Sequence, residues 1–138
     1  MTFKPLATAT SALCLALGAA WFALPQWILT HWRLDYDYGG GFVSRRMACL
    51  FFAIAVILFS LRNTVSREAR VAAGRGVITA CATLIVLGLY ELASGHVGWG
   101  IVFALGLETS LILAFLGVER SESRLSRSDR AAPPATAR

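Results

Sequence analysis

The sequence has few charged residues and none of the common catalytic motifs. Only 15% of its 138 residues are charged, against about 25% in a typical soluble domain. It contains no Walker, Gly-x-Ser-x-Gly, His-Glu-x-x-His, Cys-x-x-Cys or haem-attachment motif. The cysteines at positions 14, 49 and 81 lie inside apolar runs and lack metal-ligand spacing to one another or to a histidine. The sequence therefore predicts no metal site and no cofactor, and it favours buried thiols over a disulfide framework.

Long apolar runs take the place of the missing charge. Hydrophobic residues make up 57% of the chain, and about 20 such residues in a row suffice to cross a bilayer. We predict an all-α integral membrane protein in which four antiparallel transmembrane helices form one domain over residues 1–118. The helices are expected at about 6–24, 46–61, 76–93 and 98–118. The first run also resembles a signal peptide, but its apolar character continues beyond Pro25, which favours a retained helix.

The distribution of basic residues predicts the orientation of the chain. Lys4, residues 62–75 and the tail carry ten basic residues, whereas the other connections carry three. The positive-inside rule then places both termini in the cytoplasm and the 33–44 loop on the outer side. Because these residues flank apolar runs, they indicate a bilayer as partner and not a nucleic acid. The tail, 119–138, has too little apolar content to fold, so we expect it to be disordered.

Glu108 is the strongest candidate for a functional side chain. It lies about 15 Å along the fourth predicted helix, near mid-bilayer, where an ionised acid costs about 2.5–3.5 kcal/mol or more. Gly106, Ser110 and Ala114 form a small face on the other side of this helix, which we expect to pack closely. For Glu108, three roles stay open: a neutral acid hydrogen-bonded inside the bundle, a proton- or substrate-linked site, or a contact between subunits.

A second group of candidates lies at the outer helix ends. Glu91 is within a turn of the end of the third predicted helix, and Arg45 and Arg46 open the second. Their shared depth predicts an ion pair between Glu91 and one of these arginines. The alternative is that one arginine binds an anionic headgroup or substrate.

Three further polar residues lie in the outer connections. Asp35 and Asp37 belong to the 33–44 loop, where Gly39-Gly40-Gly41 is expected to break regular structure. The two acids belong either to a solvated loop or to a cation or partner site. His96 lies in a turn between glycines and is either an ordinary interfacial histidine or a pH-sensitive group.

Several features together resemble a known superfamily. They are Arg45-Arg46-Met47-Ala48, the helix end at Leu61-Arg62-Asn63, the arginine-spaced segment 62–75 and Gly98-Trp99-Gly100. Over most of residues 25–117 the chain resembles the small bacterial four-helix proteins of the DoxX-like superfamily, many of whose families have no assigned function. The resemblance implies a compact four-helix bundle in the bacterial inner membrane. Some relatives are accessory subunits of quinone-linked oxidoreductases, but no active-site residue carries over.

Three hypotheses for function follow from these observations. The first is a non-enzymatic accessory or interaction subunit, in a larger complex, whose partner binds along a helix face, because the soluble parts are too small for a catalytic domain. The second is a proton-coupled small-molecule carrier that acts as a homo-oligomer and uses Glu108. The third is a membrane redox-enzyme subunit, which needs a cofactor site that the sequence does not reveal.

Overall fold

The chain is all-helical over the part that the structure describes. The computed structural model describes the backbone of residues 2–131 and the side chains of residues 2–121. The helices, in chain order, are α1 (Phe3–Ala23), α2 (Pro25–His31), α3 (Tyr38–Leu61), α4 (Arg67–Ala93) and α5 (Ile101–Ala131). Four of them are long and apolar enough to cross a membrane: α1, α3, α4 and the Ile101–Ser121 part of α5. This confirms the prediction of an all-helical chain with four long apolar helices.

α3 begins eight residues earlier than predicted. The Asp37 carboxylate accepts a hydrogen bond from the backbone N–H of Gly40 at 2.6 Å and so caps the helix. The three glycines expected to break the chain instead form its first turn. A Cβ on Gly41 would lie 2.6 Å from the Tyr36 hydroxyl, so glycine here allows the loop to pack directly on the helix.

α4 and α5 are also longer than predicted. α4 begins at Arg67 because the Ser66 hydroxyl accepts from the backbone N–H of Ala69, so most of the 62–75 segment is helical. α5 begins at Ile101 and continues to Ala131. The structure describes 119–131 as a continuation of α5, where the sequence predicts a disordered tail, and 132–138 lie outside the described residues. A helix that extends one already formed needs no new nucleus, so apolar content is not required to continue it.

The long helices pack as two pairs. In the first pair, the Ser11 hydroxyl of α1 donates to the Ala55 carbonyl of α3 at 2.8 Å, and Gly18 of α1 lies against Phe52. In the second, Gly74 of α4 lies against Phe115 of α5. Residue numbers rise along one helix and fall along its partner, so each pair is antiparallel. α3 and α4 share few contacts.

The two pairs meet where α1 contacts α5. A buried cluster joins them, with partly buried residues of α4 packed against it. Its buried members are Phe3, Leu6, Ala7, Phe115 and Val118. This cluster lies near the start of α1, at the end of the molecule that also contains Lys4 and the arginines of 62–75. We call this end of the molecule the basic end.

The opposite end contains all four tryptophans, and we call it the tryptophan end. Trp21 and Trp32 pack edge to face with ring centroids 5.3 Å apart. The backbone N–H of Gly98 donates to the Trp32 carbonyl at 2.7 Å, which ties the connection before α5 to the end of α2. The position of Gly98 is tight, because a Cβ there would lie 2.9 Å from the Arg33 side chain.

Candidate functional site

Glu108 lies on the face of α5 that packs inside the chain. This packed face consists of Ile101, Leu105, Glu108, Phe115 and Val118. Positions 101, 108 and 115 are seven residues apart, which keeps them on one side of a helix. The Glu108 side chain is half-buried, and its Oε2 atom is buried without a hydrogen-bond partner among the described residues.

The surface of α4 opposite Glu108 is made of small residues with the same spacing. Gly74, Cys81 and Gly88 are buried and follow one another at intervals of seven. Gly88 faces Leu105, and Gly74 faces Phe115 at the other end. Cys81 is therefore level with Glu108, and its thiol is within electrostatic range of the carboxyl. Small side chains let the two backbones approach closely, with Glu108 as the polar position in an apolar seam.

α1 adds two more side chains at this level. Thr10 follows Ala7 by about one turn, on the side of α1 that joins the buried cluster. Its side chain is only 2% exposed, and its hydroxyl oxygen has no hydrogen-bond partner among the described residues. Cys14 follows one turn later and is buried, with its thiol within electrostatic range of Cys81. We call Thr10, Cys14, Cys81 and Glu108 the polar layer.

The chemistry of the polar layer is set by its unsatisfied oxygens. A buried polar group without a partner costs about 1–3 kcal/mol, and the layer contains two such oxygens, on Thr10 and Glu108. Glu108 forms no ion pair with any side chain of residues 2–121. Those residues include no group of three or more metal-ligating side chains. Each of these two oxygens is free to accept a proton or to bind a small polar molecule.

The opposite side of α5 does not pack within the chain. This open face consists of Phe103, Gly106, Ser110, Leu113 and Gly117. A Cβ on Gly106 or Gly117 would have no neighbour within 4 Å. The expectation that Gly106, Ser110 and Ala114 pack closely is therefore wrong inside the chain, where only Ala114 joins the buried cluster. The reason is that α4 supplies the small residues of the α4–α5 seam, so α5 supplies the large ones.

Glu91 does not pair with Arg45 or Arg46. Its Oε2 atom lies 2.7 Å from Nδ1 of His96, at the end of its own helix. The turn is closed by Gly95, whose φ of +74° suits glycine. The predicted ion pair fails because α3 packs on α1 and has few contacts with α4, which leaves the two arginines away from the end of α4. The structure thus joins two predicted candidates, Glu91 and His96, that sequence reasoning had kept apart.

The other outer candidates have separate roles. Arg46 lies over the ring of Phe42, 5.7 Å from its centroid, whereas Arg45 borders a groove at the tryptophan end. Asp37 serves as the cap of α3, and Asp35 is exposed. The two acids are therefore not held as a pair.

Sequence reasoning missed Thr10. Its only signal in the sequence is a hydroxyl one turn before Cys14.

The chain was compared with protein-family models, curated proteins and solved structures. None of the three gives a match. The assignment of a function therefore depends on the packing and chemistry of the chain itself.

Proposed function

We propose that the chain is an accessory subunit of the bacterial inner membrane, without enzymatic activity, that binds a transmembrane helix of a partner protein. Its four long helices form an antiparallel bundle, and both termini face the cytoplasm. The four apolar helices and the basic residues gathered at one end support this placement.

The observation that carries the proposal is the contrast between glycines that are packed and glycines that are not. A Cβ on Gly18 or Gly88 would meet a side chain at 2.7–2.8 Å, whereas one on Gly106 or Gly117 would meet nothing within 4 Å. Glycine inside a helix costs about 1 kcal/mol relative to alanine. Close packing offsets that cost at the first two positions, and we propose that a partner helix offsets it at Gly106 and Gly117, which lie on one stripe of α5. Gly76 of α4 is uncovered as well, so an uncovered glycine alone does not mark the seam.

The open face has the shape of a helix-binding seam. Its residues are spaced by three and four along α5, so they form one continuous stripe. Phe103 is 82% exposed and Leu113 66% exposed, and they alternate with the small residues. The Ser110 hydroxyl donates to the Gly106 carbonyl at 2.8 Å, which leaves a surface without unsatisfied donors. In a bilayer, where lipid is as apolar as leucine, such shape drives helix association.

Purification from a mild detergent tests the partner. We expect the full-length protein to bring down a stoichiometric membrane protein, and Gly106→Leu to abolish this by filling the seam. Gly76→Leu is the matched control, because Gly76 of α4 also has no neighbour within 4 Å. Purification of the chain alone, self-association through this face, or loss caused only by Gly76→Leu would contradict the proposal.

A second candidate function is favoured by the polar layer. The unsatisfied oxygens of Thr10 and Glu108 suit an oligomeric carrier in which Glu108 takes up and releases a proton while a small molecule crosses. An acid that can exist neutral or ionised at mid-bilayer depth is a recurrent feature of proton relays.

Two substitutions of Glu108 separate this function from a structural role. If Glu108 couples transport to protons, Glu108→Gln abolishes pH-driven uptake in vesicles and leaves the thermal unfolding temperature unchanged. If the carboxyl only packs against α4, Glu108→Gln is mild in every assay and Glu108→Leu weakens the fold. Full uptake by the Glu108→Gln protein would exclude the carrier function.

A further inference from the structure

A groove opens at the tryptophan end, where α1 stops and α2 begins. Its volume is about 450 Å³. It forms because Pro25 has no backbone N–H to continue α1 and Leu24 leaves the helical conformation, with φ −126° and ψ 41°. The chain turns at this point, and Arg45 of α3 borders the space that the turn leaves.

Arg45 brings an uncompensated positive charge to the groove. It forms no ion pair with an acid among the side chains of residues 2–121. The Asp37 carboxylate lies about two turns before Arg45 and accepts the Gly40 N–H as the cap of α3. Arg46, the next residue, projects about 100° further round the helix and lies over Phe42. One of two adjacent arginines therefore faces the groove, and the other is used elsewhere.

The remaining lining combines hydrogen-bonding groups with exposed apolar surface. Gln26 and Tyr36 line the groove, and neither side chain makes a hydrogen bond to another residue within the described part of the chain. Leu24 and Trp27 also line it and are 55% and 65% exposed. A guanidinium group, an amide and a phenol beside apolar side chains match an amphiphile with an anionic head.

We propose that this groove binds an anionic phospholipid of the outer leaflet. The phosphate pairs with the guanidinium of Arg45, which presents parallel donors to two oxygens. Gln26 and Tyr36 donate to the remaining head-group oxygens, and an acyl chain descends along Leu24. Charge complementarity selects this occupant, since a zwitterionic head carries its own cation. The site depends on the membrane insertion proposed above.

Lipid retention measured by native mass spectrometry tests the site. The full-length protein is placed in nanodiscs that contain equal amounts of phosphatidylglycerol and phosphatidylcholine, and the lipids that stay bound after release are counted. We expect preferential retention of phosphatidylglycerol, about tenfold weaker in Arg45→Gln and unchanged in the matched control Arg46→Gln. Arg45→Lys keeps the positive charge but loses the two parallel N–H donors of the guanidinium. We expect its phosphatidylglycerol retention to lie between those of Arg45→Gln and Arg46→Gln.

Several outcomes would overturn the site. Equal loss in the Arg45→Gln and Arg46→Gln proteins would mean a diffuse charge effect, and displacement of the lipid by soluble glycerol phosphate would mean a site for free phosphate. If Arg45→Gln misfolds, Tyr36→Phe and Gln26→Ala replace it, each with an expected loss of about threefold; no loss in either overturns the site. Insertion into the discs without phosphatidylglycerol retention removes this site alone, whereas failure to insert also removes the proposed membrane placement.

Discussion

The packed face and the open face of α5 belong to one helix, yet they differ in almost every measure of packing. On the packed face Phe115 is 2% exposed, whereas on the open face Phe103 is 82% exposed. Both faces are largely apolar, and both have a helical repeat. Apolarity therefore does not decide which face packs within the chain.

The shape of the neighbouring helix makes the difference. α4 offers Gly74, Cys81 and Gly88 in one stripe, which accepts large side chains, so the face of α5 with large side chains turns toward it. The open face has its own small residues at Gly106 and Gly117, and no other part of the described chain covers them. Where water is absent, complementary shape takes over the selection that the hydrophobic effect performs in a soluble protein.

The largest expected difference between the two faces comes from a matched pair of phenylalanines. Phe115→Ala leaves a cavity between α4, α5 and the start of α1, and we expect it to lower the free energy of unfolding in detergent by about 3–5 kcal/mol. Phe103→Ala removes an exposed ring and is expected to change it by less than about 0.5 kcal/mol. Thermal unfolding of the two purified variants measures both. Equal costs would mean that the open face packs inside the protein after all.

A second, smaller effect concerns the polar groups of α1. The Ser11 hydroxyl donates to Ala55, so Ser11→Ala is expected to cost about 1 kcal/mol. The hydroxyl of Thr10 is buried without a partner among the described residues, and Thr10→Val, which keeps the shape of the side chain, is expected to be neutral or stabilising. The same unfolding assay applies. A marked loss in Thr10→Val would show that the polar layer contains a bound molecule, since the hydroxyl would then have a partner to lose.

The sequence was sufficient to predict the four apolar helices, because hydropathy depends on composition along the chain. Helix starts were predicted less well where a single capping residue sets them. Asp37 caps α3 ahead of three glycines that normally indicate a break, and Ser66 caps α4 ahead of a basic segment that resembles a loop.

The partners of the candidate residues were harder to predict than the helices. Depth along the helices suggested that Glu91 pairs with Arg45 or Arg46, but depth does not say which helices are neighbours. Because α3 packs on α1, Glu91 pairs instead with His96. The same limit applies to Glu108. Its depth and helix face follow from spacing, whereas its proximity to Cys81 depends on how α4 and α5 pack.

The smallest expected effect lies at the basic end of the packed face. There Arg75 of α4 forms an ion pair with Glu119 of α5 at 3.0 Å. The Arg75 side chain is 70% exposed, so solvent screens the pair, and Arg75→Gln is expected to cost about 0.5 kcal/mol or less. That small cost should vanish near 1 M salt, where charges are screened within about 3 Å. Arg120→Gln, an exposed arginine one residue after Glu119, is the matched control for charge alone. A loss above about 1 kcal/mol in Arg75→Gln that is retained at high salt would mean that the charged end fixes the register of α4 and α5. The complementary shapes of the seam would then no longer suffice to explain why this face of α5 packs.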